Sequence, residues 1–273
     1  MQVCFVYYGA AVLLHFVIPS MISVKYLQPN KTQSASHVKR DALRSFVPLV
    51  VKGISLYVAE VLHRKGFGVM KDTSVFPIQT LFKNSSDLLY LVSLLLLMDL
   101  FHDTWFYFSH RFLHSRWMMK HVHFMHHESN TPSAFTGYSF HWQVPFGVML
   151  FAIPLTCVIT YRVEAVTVFS VAVAEIFVFP IPFEIHRIYE LWMILIHVGG
   201  HCGYEIFPFV PYLGMLLWLC FGGTKDASRW LNDVEHHDIH HRSPHYHFSL
   251  YFTHWDYIMG SMHPAYVKSR AQV

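Results

Sequence analysis

Apolar residues along this chain fall into long runs, not into the alternation of half-buried strands, and the runs outline a helical membrane protein. The first, residues 4–22, is interrupted only by His15 and a few small polar residues and has the length of a transmembrane helix of about 20 residues. No basic stretch precedes it and no small-residue cleavage pattern follows, so it is expected to be a first span or signal anchor and not a cleaved leader. The second run, 46–62, carries Lys52 and Glu60 and fits either a short span or an interfacial helix. The third, 88–101, is rich in Leu and Val and leads straight into Asp103-Thr104-Trp105-Phe106-Tyr107. Runs 144–161 and 165–183, separated only by Arg162-Val163-Glu164, predict a transmembrane hairpin. Run 207–221 contains two prolines and is expected to form a cap or re-entrant element.

Composition agrees. The 273 residues are 53% hydrophobic and 17% aromatic, and only 14% are charged, against about 25% charged in soluble domains. Mean hydropathy is +0.33. A formal net charge of +3 gives no reason to expect nucleic acid as a partner. Cys4, Cys157, Cys202 and Cys220 are scattered, without a C-x2-C pair, and are expected to be buried free thiols.

If the first five runs all cross, segments 23–45, 102–143 and 184–273 share one side of the membrane. That side carries fourteen Lys and Arg residues against five on the other, which predicts that it faces the cytosol. The sequons at Asn30 and Asn84 fall on opposite sides and decide nothing. The expected organisation is an all-α protein of four to five transmembrane helices, with residues 1–87 supplying spans and a basic loop and 88–273 forming the catalytic domain. A histidine-rich helical cap on the cytosolic side would hold two metals.

The chemistry lies in that cap. Nineteen of the 22 histidines fall between His102 and His263. Eleven of them are grouped as His110-x3-His114, His123-x2-His126-His127, His197-x3-His201 and His236-His237-x2-His240-His241. Imidazole is the commonest metal ligand and suits iron, copper and zinc. Residues four apart share one face of a helix, so each cluster can aim two or three rings at one point. About ten imidazoles exceed the needs of one tetrahedral ion and point to two metals. Asp103, Glu128, Glu205, Asp233, Glu235, Asp238 and Asp256 lie nearby and are candidate acceptors for the ligands' outer N–H groups. His121, His245, His247, His254 and His263 are expected to be bystanders, His102 could line the same cavity, and His15, His37 and His63 are expected to be structural.

The string from Asp103 through His110 and His114, followed by His123-x2-His126-His127, His237-x2-His240-His241 and the closing Trp255-Asp256-Tyr257-Ile258-Met259-Gly260, resembles the fatty acid hydroxylase / sterol desaturase superfamily over about residues 88–262. That resemblance implies a membrane-bound non-haem di-iron oxygenase using O2 as co-substrate. By position, His110, His114, His123, His126, His127, His197, His201, His237, His240 and His241 would be the ligands. Asp103, His141, Glu205, Asp238 and Asp256 would sit around them or toward the substrate. The resemblance further implies an endoplasmic reticulum protein oxidising a sterol, fatty acyl, sphingoid or terpenoid compound. The chain shows neither a His-Pro-Gly-Gly haem segment nor a G-x-G-x-x-G fingerprint, so a separate b-type cytochrome and an NAD(P)H-dependent reductase are implied as electron donors.

Two departures from the family pattern bear on substrate. The His-Pro-x-Glu-like motif reads His141-Trp142-Gln143-Val144-Pro145, and the Asn-x-x-Gly-like turn reads His245-Tyr246-His247-Phe248-Ser249. Desaturation and aldehyde decarbonylation use the same ligand pattern and remain alternatives. A zinc hydrolase or metal transporter is a more distant reading, because a transporter would need polar groups within its spans, where 144–161 and 165–183 hold only Glu175.

Overall fold

The computed structural model describes residues 1–30, 33–72, 85–140, 170–205, 231–250 and 252–271, and every regular element among them is helical. Helix α1 covers Gln2–Met21, with one wide π turn at Leu13–Val17. Helix α2 is Ala35–Arg64 and α3 is Ser85–Leu113. A short α4, Arg116–His121, leads into a 3-10 turn over His123–Glu128. Then come α5 (Val171–Val178), α6 (Phe183–Gly200), α7 (Val234–Arg242), α8 (His254–Ile258) and α9 (Pro264–Ala271).

Helices α1, α2 and α3 are each long and apolar enough to cross a membrane. The 46–62 run is thus the second half of a 30-residue helix, which at 1.5 Å per residue extends about 45 Å, beyond the ~30 Å hydrocarbon core. Its faces are inverted relative to a soluble helix. Leu43, Phe46, Val50, Ile54 and Tyr57 form an exposed stripe, whereas Asp41, Arg44, Ser45 and Lys52 point inward. That is the arrangement expected of a helix with lipid outside and polar partners inside. Ser34 starts α2 by accepting the His37 N–H on its side chain.

The 88–101 run is extended by three turns, so α3 carries His110 on its last turn and leads directly into His114. In the described part of the 165–183 run, residues Val171–Val178 form α5. It stops at Phe179, in extended conformation ahead of Pro180 and Pro182, where the ring lacks an N–H and disfavours helix in the residue before it. Runs 144–161 and 207–221, and with them the predicted hairpin and cap, lie outside the described residues. Helix α6, which the hydropathy reading did not single out, packs against α1, α2 and α7. Tyr7, Leu49, Met98, Tyr107, Ile176 and Tyr204 fill the shared core.

One turn has no tolerance. After α2 the chain bends back at Gly68, whose φ is +88°, and the neighbouring Val69 N–H donates to the Ile176 carbonyl. A Cβ at Gly68 would overlap that same carbonyl. Gly68→Ala is expected to destabilise the protein by about 1–3 kcal/mol, read as a lowered Tm in detergent.

Candidate metal centre

Four elements bring the histidines to one place. His110 sits on the last turn of α3, and His114 follows at the position where its N–H still bonds the His110 carbonyl at 3.0 Å. The 3-10 turn presents His123, His126 and His127; His201 closes α6; α7 presents His237, His240 and His241. Asp233 fixes the start of α7 by accepting the His236 N–H at 2.8 Å.

The rings divide into two groups. His110, His114, His123, His127 and His240 form one, and His126, His201, His237 and His241 the other; within each, one nitrogen per ring lies within 4.8 Å of the others. The division cuts through adjacent residues: His126 and His127 part company, as do His240 and His241. His123 and His127 stay together, as their spacing of four predicts, although the segment is a 3-10 turn, whose ideal geometry would instead eclipse His123 and His126. His126 faces His241, with centroids 4.7 Å apart, while His127 contacts His114 and His123.

The spacing suits metal ligation. His127 Nε2 lies 3.2 Å from Nε2 of both His114 and His123, and His237 Nε2 lies 2.8 Å from His201 Nε2. Nitrogens sharing one ion at bonds of about 2.1 Å stand roughly 3.0–3.4 Å apart. On the outer side, His110 Nδ1 lies 3.0 Å from the Phe248 carbonyl, His240 Nδ1 2.7 Å from that of Tyr246, and His201 Nδ1 2.7 Å from that of His197. A carbonyl only accepts, so each Nδ1 carries the proton and each Nε2 keeps its lone pair for the interior. His240 Nε2 and both nitrogens of His241 are buried without a hydrogen-bond partner, a cost that a bound cation would remove.

The electrostatics point the same way. Burial, reinforced by neighbouring imidazoles, holds His114, His123, His126, His127, His237, His240 and His241 well below the usual histidine pKa. Burial brings His201 down to about 4. These rings are neutral at pH 7, as ligands must be.

The carboxylates act at one remove. Asp103 accepts the backbone N–H groups of Leu250 and Phe252 at 3.0 and 3.3 Å. Asp256 accepts those of Phe248 and Ser249, both at 2.9 Å, and the Ser261 hydroxyl at 2.7 Å. Together they fix the backbone around Phe248, whose carbonyl orients His110. Burial alone would raise the Asp256 carboxyl, but the bonds from His236 and from these backbone groups hold it at about 2. Glu205 accepts the Glu235 N–H at 2.9 Å, at the start of α7, and Asp238 faces Gln28 and Arg242.

The remaining sequence candidates separate cleanly. His197 stands outside both groups; its ring stacks on Tyr138, with centroids 4.8 Å apart, and its carbonyl holds His201. A Cβ on Gly137 would press on both His197 and His201. His141 lies outside the described residues. His247 has its Nδ1 on the His236 carbonyl and its Nε2 accepting the His263 N–H, so both nitrogens are engaged. His121 is exposed against the Trp117 carbonyl. Cys202 is a buried thiol donating to the Tyr204 carbonyl, its pKa pushed up to about 12 by burial.

Sequence reasoning passed over two further sets of residues. Asp41, Arg40 and Arg44 of α2 clamp the segment that follows His127: Asp41 accepts from Ser129 and Thr136 at 2.6 and 2.9 Å, and Arg44 donates to Glu128 at 2.7 Å. A third buried cluster, His102, Glu175 and Glu190 with His186 and Lys52, lies between α2, α3, α5 and α6. The i,i+4 spacing of His186 and Glu190 was the available signal.

Comparison with known proteins places this geometry. A lathosterol oxidase of Rattus norvegicus is 24% identical over 270 residues, covering 95% of this chain and 71% of the relative. A cholesterol 25-hydroxylase of Mus musculus is 26% identical, covering 67% of this chain and 51% of the relative. Methylsterol monooxygenase 2-1 of Arabidopsis thaliana is 30% identical, covering 58% and 52%. The chain thus spans about half the length of the latter two. No solved structure matches. The family model described as Fatty acid hydroxylase matches residues 95–261, a stretch that includes all nine grouped histidines. The chain therefore belongs to the fatty acid hydroxylase family.

Proposed function

We propose that this chain is a membrane-bound oxidoreductase that hydroxylates an unactivated C–H bond of a sterol-like lipid, with two iron ions as cofactor and O2 as co-substrate. The observation carrying this reading is the partition of nine mostly buried imidazoles into two adjoining groups. His110, His114, His123, His127 and His240 would hold one ion, and His126, His201, His237 and His241 the other. The names of the relatives, sterol oxidases and hydroxylases, favour a sterol as substrate class.

Bound there, the ions would supply the power to activate dioxygen for attack on a C–H bond. The protein's part is positioning. The carbonyls of His197, Tyr246 and Phe248 fix ring orientation and tautomer. Burial keeps the rings neutral and excludes bulk water. The side chains of Asp103 and Asp256 hold the backbone N–H groups of Phe248, Ser249, Leu250 and Phe252 in place. His197 is assigned here as a positioning residue and not as a ligand. The substrate would enter from the bilayer, and a b-type cytochrome with an NAD(P)H-dependent reductase would deliver electrons on the cytosolic side of the endoplasmic reticulum. Residues 88–273 are proposed as the catalytic domain.

Expression in a host supplied with a sterol and lipid panel under labelled dioxygen tests the reading. The wild type is expected to yield a product carrying one labelled oxygen, and His126→Ala to lose more than about 100-fold of that activity, because even outer partners of metal ligands cost 10–100-fold. A product short of two hydrogens and without label would identify a desaturase instead. No oxygen-dependent product, with wild type matching His126→Ala, would sink the proposal.

A further inference from the structure

Within the helical bundle, about 12 Å along α3 from His110 by helical rise, His102, Glu175 and Glu190 converge with His186 and Lys52. These groups come from four helices: Lys52 from α2, His102 from α3, Glu175 from α5, and His186 and Glu190 from α6. Glu175, His186 and Glu190 are all 0% exposed. His102 Nδ1 lies 3.0 Å from Glu175 Oε1 and 4.0 Å from Glu190 Oε1. His186 Nε2 lies 2.9 Å from the other Glu175 oxygen, and the Lys52 ammonium pairs with the other Glu190 oxygen.

Glu190 Oε1 is the anomaly. It is buried, has no hydrogen-bond partner, and stands 4.0 Å from a nitrogen of both His102 and His186. An unsatisfied buried carboxylate oxygen is costly. Atoms bound to one ion at about 2.0–2.2 Å lie no more than about 4.4 Å apart, a limit that the His102–Glu175 and His102–Glu190 separations meet.

We propose that this cluster is a separate third metal site, binding a divalent transition metal through His102 Nδ1, Glu175 Oε1 and Glu190 Oε1. His186 and Lys52 hold the second oxygen of each carboxylate, as outer partners of metal-bound carboxylates do. One imidazole and two carboxylates form a nitrogen–oxygen set suited to zinc, manganese or ferrous iron. The site joins α3, α5 and α6 within the part of the bundle that carries the spans, away from the nine-histidine centre, and its role is to tie those helices together.

The test is metal content of the full-length protein, purified in detergent, stripped and reloaded with Zn2+. Wild type is expected to bind three ions per chain, one for each cluster. Glu190→Gln and Glu175→Gln are each expected to lose one of them, and a His126→Ala/His127→Ala double variant to retain the remote one. The wild-type count needs no variant to fold. Two ions in wild type, unchanged in Glu190→Gln and lost in the histidine variant, would overturn this site while leaving the two-iron reading intact. A single ion lost only in Glu190→Gln would support this site and overturn the two-iron reading. No ion under any condition would overturn both.

Discussion

Metal-free protein moved from about pH 7.5 to about pH 5.5 is expected to unfold, whereas metal-loaded protein is expected to survive the same step. Unfolded histidines take up protons near pH 6.5. In the folded centre, burial prevents this until far lower pH, and even His201, at about 4, lies well below that value. As pH falls below 6.5 the unfolded chain therefore binds more protons than the folded one, and stability falls with it. Each depressed histidine withdraws about 1.4 kcal/mol per pH unit in that window. Seven others are held down more strongly than His201. By about pH 5.5 their combined effect is on the order of 10 kcal/mol, comparable with the 5–15 kcal/mol that holds a domain together. Above about pH 7 the penalty vanishes, because both states are neutral. A bound ion competes with the proton for the same lone pair and shifts the transition to lower pH. Circular dichroism against pH, with and without metal, reads both effects. An acid transition that metal does not move would contradict this account.

Asp41→Ala is expected to lower stability by about 3–5 kcal/mol, the cost of removing one partner from a buried charged network. Activity is expected to fall about 10–100-fold, as for other partners that position metal ligands. Asp41 is 2% exposed and accepts hydroxyls from Ser129, Thr136 and Ser139, the last at 3.2 Å, while Arg40 lies 3.1 Å away. Those hydroxyls belong to residues 129–139, the segment that follows His127 and carries the Tyr138 ring that supports His197. Without the carboxylate they lose a shared acceptor in the interior, and the backbone that aims His126 and His127 loosens. Asp41→Asn keeps the shape and part of the bonding, so it is expected to recover part of both quantities. Tm in detergent and turnover of the product assay measure them. Wild-type turnover in Asp41→Ala would show that the 3-10 turn holds its geometry unaided.

The sequence made the centre legible to the extent that helical spacing governs it. His110 and His114, or His237 and His241, lie four apart and end in the same group because α3 and α7 are regular helices. The separation of His126 from His127 was not legible, because it depends on which neighbouring elements face the His123–Glu128 turn, and the contacts that set it, such as Arg44 to Glu128, are long-range. The long apolar helices α1 and α3 follow directly from their runs. For α2 the inward charges Asp41, Arg44 and Lys52 weakened the hydropathy signal, yet they are its functional content. The third cluster was hidden for a related reason. Glu175 looked like an isolated charge in an apolar run, and its partners are 73 residues before it and 11 after it in the chain. The carboxylates near the histidines were visible, but sequence proximity could not show that backbone carbonyls, not carboxylates, receive the N–H groups of His110, His201 and His240.

Neighbouring histidines facing different groups have a consequence for inheritance and for engineering. His126-His127 and His240-His241 act as two-pronged forks, so one peptide unit reaches into both halves of the centre. Deleting or inserting a single residue at either fork would exchange the prongs and spoil both halves together. Substituting one prong, as in His126→Ala, removes a ring from one half and leaves its chain neighbour aimed into the other. A single-metal version of this scaffold would therefore be sought by side-chain replacement at His126, His201, His237 and His241, with the turn and the helix kept.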